Sequence, residues 1–175
     1  MSEAIGAEKR NCNCPRGAYR EIITKAICGT VSKTLQYTHF INLPEGVIAD
    51  QILGCTLTHQ RLNEPKMKDA SSNSITIIAA GVYVVQIWYA YNDGRDTDVL
   101  RSSINFKEFI PIEYYDGQNA NPLVAKAAFV TPPQILESSF TNDNRIKLDV
   151  QLDIVAEIIG ESKILVSIFQ PDRNV

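Results

Sequence analysis

Basic clusters, long apolar runs, helical stripes and catalytic motifs are scarce or missing in this chain of 175 residues. Its 17 Lys and Arg against 20 Asp and Glu leave a formal charge of −3, and no segment concentrates the cations. A surface that tracks phosphates needs such a concentration, so nucleic acid is not an expected partner. The longest apolar run, Ile75 to Tyr91, is interrupted by Gly81 and Gln86 and falls short of the roughly 20 residues of a membrane helix, so no membrane insertion is expected. The opening MSEAIGAEKRNCNCPRGA holds Glu8, Lys9 and Arg10 and lacks the apolar core of a secretory signal. The chain therefore reads as one synthesised in the cytoplasm without a signal peptide.

Catalytic signatures are equally thin. There are two histidines, His39 and His59, and each stands inside an alternating run, where a structural or surface role fits better than chemistry. No GxSxG, phosphate-cradling glycine loop or HExxH occurs. The expectation is a protein that is not an enzyme and carries no cofactor.

What is abundant is alternation with a period of two. The stretch GVYVVQIWYAYNDGRDTDVLRSSINFKEFIPIEYY, residues 81–115, reads as two strands joined by the polar loop Asn92 to Asp98. In the first run Tyr83, Val85, Ile87, Tyr89 and Tyr91 share one face and Val82, Val84, Trp88 and Ala90 the other. With neither face clearly polar, that strand belongs in the middle of a sheet, and Trp88 with its tyrosines offers the largest apolar area for packing. In the second run Leu100, Ile104, Phe106 and Ile110 oppose Arg101, Ser103, Asn105 and Lys107, which makes one face wet.

The remaining body follows suit. YREIITKAIC reads as a strand, and LQYTHFINL sets Leu35, Tyr37, His39, Ile41 and Leu43 on one face. Another strand is expected near Ile52 to Arg61, then a polar loop from Asn63 to Ser74. Leu123 to Val130 and Gln134 to Phe140 flank Thr131-Pro132-Pro133. RIKLDVQLDIVAEII puts Ile146, Leu148, Val150, Leu152, Ile154, Ala156 and Ile158 on one face, Gly160-Glu161-Ser162 reads as a turn, and Lys163 to Phe169 as a last strand. The sum is an all-β, antiparallel, two-layer β-sandwich, jelly-roll-like, of about eight to ten strands. It spans residues 19–175 as one domain, preceded by a flexible connector arm, residues 1–18.

Two features of this body invite chemistry. Asp93, Asp96 and Asp98 cluster in NDGRDTD and are weak calcium candidates, although the spacing departs from the helix-flanked calcium loop. Cys12 and Cys14 lie in the arm, Cys28 and Cys55 in expected strands. In an extended arm, positions 12 and 14 stand roughly 7 Å apart, too far for an unstrained bond to each other. Three readings stay open: four free thiols, a zinc site drawing on Cys12, Cys14 and two of Cys28, Cys55, His39 or His59, or disulfides from arm to body between neighbouring copies.

YREIITKAI, GVYVVQIWYAYNDGRDTDV and IVAEIIGESKILV together resemble the outer spore coat morphogenetic proteins of the CotE type, in order over roughly residues 19–169. The resemblance implies a non-enzymatic protein at the bacterial spore surface that associates with itself and with other spore coat or exosporium proteins. A layer built in the mother-cell cytoplasm and exposed on lysis also reconciles disulfides with the missing export signal. The chain ends QPDRNV where the family has a strongly acidic tail, and its cysteine-bearing arm is similar in kind to the connectors of disulfide-linked endospore appendage subunits. The expected function is therefore a structural, self-assembling subunit of a spore fibre or coat layer. It would polymerise head-to-tail through the arm, with Cys12 and Cys14 bonded to Cys28 or Cys55. The rival is an adhesive carbohydrate- or calcium-binding β-sandwich module that uses the 92–98 loop and Tyr114-Tyr115.

Overall fold

The computed structural model describes residues 19–71, 74–113 and 124–167. The expected connector arm, residues 1–18, lies outside them, as do Tyr114 and Tyr115. The described residues form seven antiparallel strands: β1 (Tyr19–Asn42), β2 (Ala49–Leu62), β3 (Lys66–Ser71), β4 (Ser74–Tyr91), β5 (Asp96–Glu113), β6 (Val124–Phe140) and β7 (Arg145–Ser167). One sheet runs β1-β7-β6. In the other, β4 pairs with β5 along one edge and with β2 and β3, end to end, along the other.

The two central strands, β4 and β7, supply most of the core. Ile146, Leu148, Val150, Leu152, Ile154, Ala156 and Ile158 all have zero exposure, which is the face expected from their alternation. They share one apolar cluster with Ile75, Ile77, Ala79, Tyr83, Val85, Ile87 and Tyr89 of β4. Complete burial of each large aliphatic contributes about 1.5 to 3 kcal/mol, so these two faces dominate the energetics of the sandwich. Sheet faces with period-two patterning have no stable alternative to facing each other.

The flanking strands are one-sided. On β5, Phe106 and Ile110 are buried and Arg101, Ser103, Asn105 and Lys107 exposed. On β1, Leu35 and Ile41 are buried, with Tyr37 and His39 between them half-buried, and Leu43 is buried just past the strand's end. Trp88 departs from expectation. It sits on the outer parity of β4 and stays 41% exposed, while Tyr83 and Tyr89 on the inner parity are buried. Period, and not size, decides which aromatic enters the core.

Other differences come from pairing over long range. Tyr19 to Cys28 and Leu35 to Leu43, expected as two strands, are one strand, because β7 pairs with β1 continuously from Arg145 to Ser167. The same pairing carries β7 through Gly160-Glu161-Ser162, where a turn was expected. β6 likewise runs through Pro132 and Pro133; as an edge strand it tolerates the shifts between Phe129, Thr131 and Gln134 that the prolines impose. β3 falls inside the expected polar loop. Its sequence KMKDAS has little strand character, and it is held by pairing with the first half of β4. The loop of 92–98 is shorter than expected: Asn92 and Asp93 adopt left-handed φ of 55° and 58° beside Gly94 at 75°, and β5 starts at Asp96.

Gly81 sits where no other residue fits. It faces the core in mid-β4 opposite Phe106, and a Cβ there would lie 2.8 Å from the Phe106 ring and collide with the Arg61 carbonyl on β2. Replacing it by Ala is expected to cost about 1 to 3 kcal/mol through overpacking, read as a lower urea midpoint at unchanged m-value.

Candidate functional site

The sequence-derived site residues divide between the two margins of the sandwich and its ends. At the β1/β5 margin three polar groups join the sheets. Glu108 stands on the inner parity of β5, opposite Ala79, and accepts hydrogen bonds from Tyr37 Oη at 2.6 Å and Lys33 Nζ at 3.2 Å. Burial, followed by the neighbouring Glu108 carboxylate, raises the Tyr37 hydroxyl well above the ordinary tyrosine range, so the phenol donates at any working pH. The alternation of β5 carried the signal for this contact: Glu108 is the one carboxylate among the even-numbered apolar residues from Leu100 to Ile112.

One step inward, His39 Nε2 lies 2.6 Å from Tyr83 Oη, and the two rings meet edge to face. Burial pushes the Tyr83 hydroxyl up to about 12 and lowers the His39 imidazole, the latter opposed by Asp149. His39 is thus a structural histidine within the sandwich. His59 lies elsewhere, exposed on β2 with φ of 53° in a bulge.

The two body cysteines are both half-buried against the core and differ in their backbone setting. Cys55 faces inward on β2 opposite Ile87, next to β6, and burial pushes its thiol up, opposed by the Ser138 hydroxyl. Thiolate, the reactive form, is correspondingly scarce there. Cys28 is the extra residue of a β-bulge: Ile27 pairs with Ile159 and Gly29 with Ile158, leaving Cys28 out of the ladder. Both are free thiols. Cys12 and Cys14 lie outside the described residues.

Upstream of that bulge the chain leaves the sandwich. Tyr19–Ile27 pairs with Ile159–Ser167 as a two-stranded ribbon, while β6 pairs with β7 only as far as Ile159. Among the described residues, β7 beyond Ile159 therefore has one unpaired edge. Apolar side chains remain on both ribbon faces: Ile23, Ile27 and Leu165 are about 60% exposed on one, and Ile22 and Ile164 about 44% exposed on the other. Sequence reasoning missed this ribbon because its residues look like core residues.

Two of the three candidate aspartates, Asp96 and Asp98, are engaged in local hydrogen bonds, while Asp93 stands exposed at the turn. Asp96 accepts from Asn92 Nδ2 at 2.7 Å, and Asp98 from the Val99 amide and, at 3.4 Å, from Tyr89 Oη. Asp50 of β2 accepts from the Gly94 amide. Among the described residues no three His, Cys, Asp or Glu side chains gather as a metal site.

The model of outer spore coat protein E (CotE) matches residues 18–174. The chain belongs to the CotE family. Membership implies a structural role in the outer spore coat, in contact with other coat proteins. No curated protein and no solved structure matches the chain. The match covers all seven described strands.

Two measurements check the margin. Glu108→Ala should lower stability by about 1 to 3 kcal/mol in urea unfolding, because Tyr37 is left without its acceptor. His39, whose folded pKa is depressed, contributes stability that is present above its ordinary value near 6.5 and lost as pH falls through the lower folded value. The melting temperature of the native protein should therefore drop between pH 7 and 5 by more than that of His39→Gln, a gap that the two proteins' difference curve reads directly.

Proposed function

We propose that the protein is a self-assembling structural subunit of the spore surface, in which the N-terminal segment of one copy is fixed to the body of the next. The observation that carries this reading is the ribbon of β1 and β7. Among the described residues it presents an unpaired strand edge beside exposed Ile22, Ile23, Ile27, Ile164 and Leu165, and an edge of this kind suits completion by a strand from another chain. The contact is head-to-tail, and contacts of that kind propagate into fibres or layers instead of closing into rings of fixed size.

Covalent closure of the joint belongs to Cys12 and Cys14 with Cys28 or Cys55. Cys28 is the favoured acceptor, since its bulge lies at the root of the ribbon, whereas Cys55 is held between the sheets with its thiolate disfavoured. The other partners under this reading are further coat or exosporium proteins, and the site of action is the spore surface reached from the mother-cell cytoplasm.

Non-reducing electrophoresis of the assembled protein should show a ladder of covalent multimers that collapses with dithiothreitol and is absent in Cys12→Ser/Cys14→Ser. Cys28→Ser should shorten the ladder more than Cys55→Ser does. Electron microscopy should show filaments or sheets. Monomer alone on the gel together with isolated particles on the grid would sink the proposal, and a measurable glycan affinity of such particles would favour the adhesive module instead.

A further inference from the structure

We propose that the outer face of the β5-β4-β2 sheet carries a docking groove for an extended acidic segment of another protein, with Arg61 and Arg101 as its anchors. The inference is independent of the disulfide-linked assembly, which concerns the other sheet.

The groove begins with a defect in β2. Thr58 pairs with Val84 and Arg61 with Val82, so His59 and Gln60 together oppose a single residue of β4. His59 is forced to a φ of 53°, and Gln60 Nε2 turns back to the Leu57 carbonyl at 2.9 Å. A non-glycine residue held in the left-handed region marks a segment whose shape is maintained by its surroundings. The bulged pair forms a raised lip, and between it and β5 lies a groove of about 820 Å³ floored by Val82 and Val84. Arg61 lines one end with Asn105, and Arg101 the other with Gln86.

Charge on this face runs against the chain as a whole. The outward parity of the sheet holds Arg61, Lys66, Lys68, Arg101 and Lys107, with Glu113 as the carboxylate among them, on a protein of net charge −3. Among the described residues neither Arg61 nor Arg101 is within ion-pairing distance of a carboxylate. Two guanidinium forks over an apolar floor suit carboxylates carried on a chain that also offers aliphatic contacts.

Spacing identifies the form of the ligand. Arg61 stands on the row of Val82 and Arg101 on the row of Gln86, across β4. Their backbones are thus about 13 Å apart along the strands and about 10 Å across them. A single small anion does not span that diagonal. The diagonal is about 16 Å between backbones; acidic side chains four residues apart on an extended peptide recur at about 13 Å, and the length of the two arginine side chains covers the difference. Bases of single-stranded nucleic acid stack on large aromatic rings; the floor here is valine, and the exposed rings of this face, Trp88 and Phe109, stand outside the groove lining.

The probe is a fluorescein-labelled peptide of alternating Glu and Thr, followed by fluorescence anisotropy with the full chain. Saturable binding that weakens as salt rises is expected, reduced about tenfold or more in Arg61→Gln/Arg101→Gln. Lys25→Gln/Lys126→Gln removes the same charge from the other sheet and should bind as the native protein does. Circular dichroism melting confirms that both variants fold. Equal loss in the two variants, or the absence of saturation, overturns the proposal. Displacement of the peptide by millimolar inorganic phosphate would mark a small-anion site, and tighter binding of a labelled single-stranded oligonucleotide would mark a nucleic-acid surface; either result overturns it as well.

Discussion

The apposition of β4 and β7 is the constraint on which the rest of the molecule depends. Each is the centre of its sheet, and each turns one unbroken apolar row, Ile75 to Tyr89 and Ile146 to Ile158, toward the other. Because side chains alternate strictly, committing one row to the core commits the other row of the same strand to the surface. The outer row of β7 becomes a polar ladder in which Asp149 accepts from Thr38 and Asp153 from Thr34 and Thr131, tying β1 and β6 to their centre. The outer row of β4 becomes Val82, Val84, Gln86 and exposed Trp88, an apolar strip with basic flanks.

The margins show how a two-layer structure closes without a covalent bond in its described part. On one side Lys33, Glu108 and Tyr37 form a half-buried polar contact between sheets, where desolvation makes each hydrogen bond matter more than it does in water. On the other, Cys55 of β2 and Ser138 of β6 meet, both half-buried. Cys28 and Cys55 are both free, so the packing of the described sheets does not depend on them.

Exposed apolar area is concentrated where the sandwich ends. The ribbon past the Cys28 bulge has too few neighbours to cover Ile23, Ile27 and Leu165, and a two-stranded ribbon is marginal alone. Surfaces of this sort are stable in an assembled layer and costly in an isolated monomer. That fits a structural coat protein in contact with other coat proteins. It also separates two surfaces by sheet: an open strand edge on the β1-β7-β6 side and a basic groove on the β5-β4-β2 side.

Much of this was legible in residues alone. The alternation of Ile146 to Ile158, the one-sided pattern of Leu100 to Ile110 and the ambivalent run around Tyr83 state the sandwich class and name most of its core, because burial on a sheet depends on parity and parity is a local property. Strand length was not legible. Pro132 and Pro133, Gly160 and the polar KMKDAS look like interruptions, yet pairing with β7, β1 and β4 respectively carries strands through all three, and such pairing is decided by the partner strand and not by the segment's own residues. The same holds for the sites. Cysteine positions can be read from the chain, but the bulge that frees Cys28 from the ladder, the burial that quiets Cys55, and the bend at His59 that lines up Arg61 with Arg101 exist only once the sheets are assembled, since each arises from a mismatch between two strands and not from either one.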